Sequence, residues 1–397
     1  MPSHRLAGLL LLAALGAPGP AAAQKPRGFD PAWAAVRAAF DSTLEAHGTV
    51  GGTLWFLQGD RVLAHENHGL ADKASARPVT DSTIFHWASV TKTLTAVAIM
   101  QLRDRGKLGL DDPIVKYVPE LRQVHDSFGD ISTVTIRQLM SHSAGFRAGT
   151  WPWSGDKPWY PFEPTKWSQL VAMMPYTEVL FRPGSRYGYS NPGIIYLGQV
   201  IERLTGDDYE VYVTKNILMP LGMTHSYFDV TPYHLLKDRS NGYEVGDSGM
   251  TAVGLDFDTG VTTSNSGLNS PVTDMSRYLA FLAGAPGHPE YEGVLRRASL
   301  EEMWRPMLPT GSREEGDSVT AGFFSLSAGG RRYIGKTGSQ AGYRSFIYVE
   351  PVSHTAAIGV VNTSGYGREG PGPTADASYA LRAIRDRLIE RVFPLFH

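Results

Sequence analysis

The sequence predicts an α/β fold in which helices flank one antiparallel sheet built from both ends of the chain, with an all-helical domain inserted between the two parts. Three observations predict this architecture: a helix and a strand hairpin come first, consecutive strands and a helix come last, and helical spacing with long loops dominates the middle. We expect the α/β part to comprise about residues 24–105 and 305–397, and the helical insert about residues 106–304. Such an arrangement leaves a cleft between the two parts, where binding sites tend to lie.

The first predicted elements are a helix and a hairpin. Asp30-Pro31 predicts the start of the helix, because aspartate caps a helix N-terminus and proline fits its first turn. The apolar face of this helix consists of Val36, Phe40 and Leu44. Residues 52–57 and 61–66 predict two strands that are joined at Gly59-Asp60. A long helix is then expected from about Ser89 to Gly106.

The last predicted elements are strands followed by one helix. The spacing predicts four consecutive antiparallel strands, over residues 322–327, 333–338, 345–349 and 355–362. Gly329-Gly330 and Glu350-Pro351 supply turns between them. A loop rich in glycine and proline leads to a final helix from about Thr374. The apolar face of that helix consists of Leu381, Ile384, Leu388, Ile389 and Val392.

The first 23 residues are predicted to be a signal peptide rather than part of the fold. Arg5 supplies the positive region, residues 6–15 the apolar stretch, and Ala21-Ala22-Ala23 the small-residue cleavage site. The apolar stretch is shorter than the roughly 20 residues that a membrane-spanning helix needs. We therefore expect cleavage near Ala23, a secreted or periplasmic protein comprising residues 24–397, and no stable membrane span.

Composition excludes several classes of function. The 37 Lys and Arg residues nearly balance the 39 Asp and Glu residues, so no basic surface for nucleic acid is expected. The chain has no cysteine, which excludes disulfides, cysteine nucleophiles and thiolate metal sites. His65-Glu66-Asn67-His68 has i, i+3 spacing in a predicted strand, and metal ligands on a helix face need i, i+4 spacing. We expect no metal and no cofactor.

Two further motifs are interpreted as coincidental. Residues 330–337 satisfy the phosphate-loop pattern G-x-x-x-x-G-K-[ST], but bulky strand-forming residues stand where a flexible loop and a helix start are needed. Gly246-Asp247-Ser248-Gly249 is similar to the nucleophile segment of trypsin-like proteases, which are all-β and usually disulfide-bonded. We interpret the first as a strand and the second as a polar turn.

The strongest catalytic candidate is Ser89-Val90-Thr91-Lys92. Residues at i and i+3 are neighbours on a helix, so the Ser89 hydroxyl and the Lys92 amine can converge. Burial lowers the pKa of a lysine, and a neutral amine can accept the serine proton. The helix N-terminus adds N–H donors where an oxyanion would develop.

Two other motifs follow in order, Tyr189-Ser190-Asn191 and Lys336-Thr337-Gly338. With the serine motif they resemble the serine penicillin-recognising family of class C β-lactamases, D-Ala-D-Ala peptidases and related esterases. The resemblance covers about residues 45–365. It is supported by further matching segments, which are residues 85–93, 110–113, 138–145, 183–184, 187–193 and 220–223.

The resemblance implies a β-lactamase/transpeptidase-like fold and a role for each motif residue. Ser89 would be the nucleophile, Lys92 its activating partner, and Tyr189 would assist proton transfer to and from the leaving group. Asn191 would bind the substrate amide. Lys336 and Thr337 would bind a substrate carboxylate or tune the electrostatic environment of Tyr189, and the backbone amides of Ser89 and Ser339 would form the oxyanion hole. His142 and Asp111-Asp112 are left without a catalytic role.

The sequence leaves the substrate open. The expected partner is a small-molecule or peptide substrate, which is a β-lactam, a D-amino-acid peptide or an ester. The alternatives are a D-Ala-D-Ala peptidase or esterase without useful β-lactamase activity, and a penicillin sensor or cell-wall-binding module that does not turn over. The oligomeric state is also open. The aromatic segment from Trp151 to Pro164 is either a packed surface loop or a wall over the active site.

Overall fold

The computed structural model describes residues 25–151, 164–246, 249–255, 259–365 and 377–397. The predicted signal peptide, residues 152–163 of the aromatic segment, Asp247 and Ser248, and the expected start of the last helix at Thr374 lie outside the described residues. Within the described residues, no helix is long and apolar enough to cross a membrane.

The strands and helices of the described residues have the following bounds. The strands are β1 (Gly51–Gln58), β2 (Arg61–Asp72), β3 (Arg77–Pro78), β4 (Ile84–His86), β5 (Tyr227–Phe228), β6 (Gly242–Gly246), β7 (Gly249–Gly254), β8 (Leu268–Pro271), β9 (Leu308–Pro309), β10 (Ser318–Val319), β11 (Phe324–Ala328), β12 (Arg331–Gln340), β13 (Tyr343–Glu350), β14 (Thr355–Val361) and β15 (Thr363–Gly365). The helices are α1 (Phe29–Ala46), α2 (Thr91–Asp104), α3 (Ile136–Met140), α4 (Trp167–Met173), α5 (Asn191–Thr205), α6 (Tyr209–Val213), α7 (Thr263–Ser266), α8 (Val272–Ala283), α9 (Tyr291–Val294), α10 (Arg297–Met303) and α11 (Ala377–Arg391).

The main sheet is antiparallel and combines both ends of the chain. Its strand order is β3-β2-β1-β14-β13-β12-β11-β10-β9. The first hairpin joins the last strands where β1 pairs with β14, with Gly52 opposite Val361 and Trp55 opposite Ile358. Helices α1 and α11 pack against one another and cover one face, and the larger core lies on the other face with α2 and α8. The prediction of an antiparallel sheet with flanking helices is confirmed.

Helix α1 begins one residue before the predicted start. Gly28 precedes it in the left-handed conformation at φ 88°, and the buried Phe29 is its first residue. The predicted apolar residues Val36, Phe40 and Leu44 are fully buried against the sheet. The apolar spacing therefore located the buried face correctly, while the polar Asp30 lies within the first turn.

The middle of the chain is mainly helical, but it also contains short strands. These strands correct the expectation that residues 106–304 are all helical. Strand β8 lies between β4 and β5 in one small sheet, and β6 lies between β7 and β15 in another. Because β4 and β15 belong to the terminal parts, both small sheets tie the insert to the α/β part. The pairings of β4 and β5 with β8 and of β6 with β15 join distant segments, so local spacing does not show them, whereas β6 and β7 are neighbours in the chain.

The coincidental motifs have the predicted structures where they are described. Residues 331–337 of the phosphate-loop pattern lie in strand β12. His65 and His68 lie in β2, where His65 stacks on Trp55 at 5.2 Å and His68 contacts Asp41 at 3.1 Å. Within the ranges that the structure describes, no cluster of His, Asp or Glu is arranged to hold a metal ion.

Candidate active site

Ser89 lies on a short 3-10 turn, residues 88–90, at the start of α2. The preceding residue Ala88 has φ +48°, a left-handed conformation that is strained for a residue with a side chain. Thr91 holds this turn, because its hydroxyl donates a 2.6 Å hydrogen bond to the Ala88 carbonyl. Trp87 anchors it from the other side through a 2.8 Å bond from its indole N–H to the Ser270 carbonyl. The turn presents the half-buried Ser89 at a fixed position.

Lys92 lies one helical turn after Ser89 and is completely buried. Its Nζ is 2.9 Å from Ser89 Oγ and donates a 2.9 Å hydrogen bond to the Asn265 carbonyl. Burial lowers the pKa of Lys92 well below its usual value, and the nearby Lys336 lowers it further. A neutral amine that donates one N–H to Asn265 directs its lone pair toward the Ser89 hydroxyl. This geometry suits Lys92 to accept the serine proton.

Tyr189 approaches Ser89 from the insert. Its hydroxyl donates a 2.9 Å hydrogen bond to Ser89 Oγ. Burial raises the pKa of Tyr189 above its usual value, and the negative charge of Glu315 raises it further. The phenol therefore keeps its proton in the free enzyme and can deliver it to a leaving group.

His142 holds the Tyr189 segment, a role that the sequence analysis did not assign. It has φ +50° and its ring lies against the phenol ring of Tyr189. Burial lowers the pKa of His142 well below its usual value, with smaller contributions from Lys336 and Lys92. The neutral ring accepts a 3.2 Å hydrogen bond at Nδ1 from the backbone N–H of Ser190. His142 is a positioning residue.

Lys336 lies on β12 and is buried against two aromatic rings. Its Nζ is 4.7 Å from the ring centre of Tyr189 and 4.0 Å from that of Phe324. In the described part of the chain it has no hydrogen-bond or ion-pair partner. Burial lowers the pKa of Lys336 to about 8, and Glu315 opposes this change. Lys336 is therefore a desolvated cation beside the proton donor, held by cation–π attraction.

Thr337 is bound to a carboxylate of the protein itself. Its hydroxyl donates a 3.0 Å hydrogen bond to Glu315 Oε1, and the Tyr187 hydroxyl donates a 3.3 Å bond to Glu315 Oε2. Glu315 comes from the segment between β9 and β10. Glu315 could not be identified from the sequence, since no motif or spacing relates this residue to the three motifs.

Gly338 lets β12 approach the nucleophile closely. A Cβ atom at this position would lie 2.3 Å from the Trp87 carbonyl oxygen and 2.4 Å from Ser345 Oγ. Real Cβ atoms do not come so close, so only glycine fits. The next residue, Ser339, is exposed and faces the cavity beside Thr337.

Asn191 is the first residue of α5 and follows Tyr189 by two positions. Its backbone N–H donates a 3.1 Å hydrogen bond to the Ala148 carbonyl. Ser190 caps the helix by accepting a 3.1 Å bond from the Gly193 N–H. The Asn191 side chain forms no hydrogen bond with the described residues around Ser89. The structure thus joins Ser89, Lys92 and Tyr189 directly and places Asn191 on the adjoining helix.

A cavity of about 520 Å³ opens beside these groups. Its lining includes Tyr187, Tyr189, Glu315, Thr337, Ser339 and Arg344. The lining combines aromatic surface with carboxylates, among them Glu315 at Thr337, and guanidinium groups, among them Arg344. The cavity can therefore hold a small organic substrate next to Tyr189, whose hydroxyl contacts Ser89.

Comparisons with known proteins agree with this geometry. A model of the Beta-lactamase family matches residues 36–381. Protein flp of Staphylococcus aureus (strain COL) is 23% identical over 312 residues, which are 79% of this chain and 59% of that protein. The chain thus spans about three fifths of the length of this curated relative. Esterase EstB of Burkholderia gladioli is 28% identical over 386 residues, covering 87% of this chain and 95% of the esterase.

A solved structure shows the same fold. The octameric penicillin-binding protein homologue from Pyrococcus abyssi has a TM-score of 0.74 and 24% sequence identity, over 91% of this chain and 79% of that chain. The predicted β-lactamase/transpeptidase-like fold is confirmed.

Proposed function

The chain belongs to the beta-lactamase family of serine hydrolases, and on this basis we propose that it cleaves carboxylic esters through an acyl-enzyme formed on Ser89. The observation that carries the proposal is the pair of 2.9 Å contacts that Ser89 Oγ makes with Lys92 Nζ and the Tyr189 hydroxyl. The similarity to a protein named an esterase, over 95% of its length, supports the choice of esters.

Acylation uses the two partners of Ser89 in opposite roles. Lys92, whose pKa is lowered by burial, takes the proton of Ser89 as Oγ attacks the substrate carbonyl. The expected oxyanion donors are the backbone amides of Ser89 and Ser339. When the carbon–oxygen bond of the ester breaks, Tyr189 gives its proton to the departing alkoxide.

Deacylation restores every proton. Water attacks the acyl carbonyl and gives a proton to the Tyr189 phenolate. When the tetrahedral intermediate collapses, Lys92 returns its proton to Ser89 Oγ. The charged Lys336, 4.7 Å from the Tyr189 ring, stabilises the phenolate between the two stages.

Cleavage of β-lactams or of D-amino-acid peptides is the second candidate. The buried Lys336 without an ion-pair partner in the described residues, and Arg344 in the cavity lining, favour an anionic substrate. A non-turnover penicillin sensor remains the alternative from another class, since the same serine would then stay acylated.

Time-resolved reaction of the full chain tests the proposed function. We expect multiple turnovers of p-nitrophenyl butyrate, a fluorophosphonate adduct on Ser89 by mass spectrometry, and neither result with Ser89→Ala. Ser248→Ala is the matched control and should behave like wild type. Durable labelling by a fluorescent penicillin without ester turnover would identify a sensor, and rapid hydrolysis of penicillin would favour the second candidate.

Export is proposed from the predicted signal peptide. Expression of the full chain in a bacterial host, followed by fractionation, should give mature protein in the periplasm with an N-terminus at Gln24. Full-length protein that stays in the cytoplasm would contradict export.

A further inference from the structure

The hydroxyl of Thr337 is already hydrogen-bonded to a carboxylate of the protein, that of Glu315. Glu315 accepts hydrogen bonds from Thr337 at 3.0 Å and from Tyr187 at 3.3 Å, one at each carboxylate oxygen. The hydroxyl of Thr337 has a single proton to donate, and Glu315 takes it. A substrate carboxylate that reached Thr337 would therefore meet a negative charge and no free donor.

Glu315 lies on the leaving-group side of the site. Tyr189 is the group that protonates the departing atom in the proposed mechanism, and the charge of Glu315 reaches it, since it raises the pKa of Tyr189. The same charge acts on Lys336, next to Thr337 in β12. Glu315 and Tyr189 also line the same cavity.

We propose that Glu315 is a specificity-determining residue that excludes a carboxylate from the leaving group of the substrate. This inference rests on the proposed function and deepens it. The preferred substrates are esters with uncharged leaving groups, and the lysine and threonine of β12 serve the electrostatic environment of Tyr189 rather than a substrate anion. Glu315 supplies internally the negative charge that a substrate carboxylate would otherwise bring to Lys336.

Coulomb's law gives the sign and the scale of the effect. Two negative charges in a partly desolvated site repel, while a neutral leaving group meets no such repulsion. Removing the charge of Glu315 should therefore help an anionic substrate and leave a neutral one little changed.

The test compares two acetate esters that differ in one carboxylate on the leaving group, phenyl acetate and 3-acetoxybenzoate. In wild type we expect phenyl acetate to have the higher kcat/KM. Glu315→Gln keeps an acceptor for Thr337 and removes the charge, so it should raise the ratio of kcat/KM for 3-acetoxybenzoate over phenyl acetate about tenfold. The comparison of this ratio between the variant and wild type cancels the different intrinsic reactivities of the two esters.

Two control variants separate charge from structure. Glu178→Gln removes an exposed carboxylate that does not line the cavity, and should leave the ratio unchanged. Tyr187→Phe removes one hydrogen bond to Glu315 but keeps its charge, and should also leave the ratio unchanged. Glu315→Asp keeps the carboxylate charge and should leave the ratio close to that of wild type. If Glu315→Gln is poorly folded, Glu315→Ala removes the same charge and should still raise the ratio.

The outcomes of this test are distinct from failure of the proposed function. Equal effects of Glu315→Gln on both esters, or a wild type that hydrolyses 3-acetoxybenzoate as well as phenyl acetate, would overturn the role of Glu315 while the esterase activity stands. A wild type that hydrolyses neither ester would overturn the proposed function, and the inference with it.

Discussion

The imidazole ring of His142 lies against the phenol ring of Tyr189, with centroids 4.4 Å apart and planes inclined at 30°. The same imidazole accepts the N–H of Ser190, so one side chain fixes both the ring and the backbone that follows it. Because His142 touches none of the expected reacting atoms, its effect on catalysis acts through the position of Tyr189.

His142→Asn should lower kcat about tenfold and leave KM nearly unchanged. Asparagine tolerates the positive φ of this position but removes the ring contact, which is worth roughly 1 kcal/mol. The measurement is ester hydrolysis together with the melting temperature. His125→Asn, at an exposed histidine, is the control. An unchanged kcat in a folded His142→Asn variant would remove the positioning role.

Ester hydrolysis should rise with pH through a limb that reports the loss of a proton from Lys92. The folded pKa of Lys92 is below its usual 10.5, so the neutral base is present at a lower pH than in a free lysine. Lys92 and Tyr189 both contact Ser89, so the limb belongs to the coupled pair.

Removing the charge of Lys336 should move that limb toward higher pH, because Lys336 lowers the pKa of Lys92. Profiles of kcat/KM against pH for wild type and Lys336→Met check this. Lys116→Met removes an exposed cation that does not line the cavity, and should leave the limb in place. A limb that moves toward lower pH in Lys336→Met would contradict the predicted coupling.

Lys336→Met should be more stable than wild type near neutral pH. The pKa of Lys336 is about 8 in the folded protein and 10.5 in the unfolded chain. Below about pH 8 the lysine is charged in both states, so the whole cost of burying the cation lowers the free energy of unfolding. This difference corresponds to about 3 kcal/mol, and cation–π contacts offset part of it, so we expect a gain of about 1–3 kcal/mol in the free energy of unfolding.

The gain should shrink as the pH rises from about 8 toward 10.5, because the lysine then loses its proton in the folded protein first. Urea denaturation of both proteins at about pH 7 and about pH 9.5 measures it. A stability difference that is the same at both values would show that the charge of Lys336 is not its cause.

Gly338→Ala should reduce both activity and stability. The added Cβ would clash with the Trp87 carbonyl and Ser345, so β12 must move away from the nucleophile. Overpacking of this kind costs about 1–3 kcal/mol, and a displacement near 1 Å costs about 100-fold in rate. Gly293→Ala, where a Cβ meets open space, is the control. Wild-type hydrolysis by Gly338→Ala would show that this close approach is dispensable.

The sequence predicted the elements whose pattern is local. The apolar spacing in α1 and the strand patterns of β1 and β12 were sufficient, because each is set by which face of the element is buried. The first two motifs also named the residues that contact Ser89, which are Lys92 and Tyr189. The sequence did not indicate Glu315 or the positioning role of His142, because both depend on packing between segments that are far apart in the chain. Strands β5 and β8 of the insert were not predicted for the same reason, since both pair with distant segments.

Strand β1 cannot pair with β14 until most of the chain has been synthesised. More than 300 residues separate Gly52 from its partner Val361. At about 5–20 residues per second, the ribosome needs roughly 15–60 s to make that distance. During this time the apolar strand Leu54–Leu57, fully or almost fully buried in the finished protein, has an open edge. Until β14 is made, this edge of the first hairpin is open to pairing with other chains, so early aggregation of the newly made chain is expected to begin there.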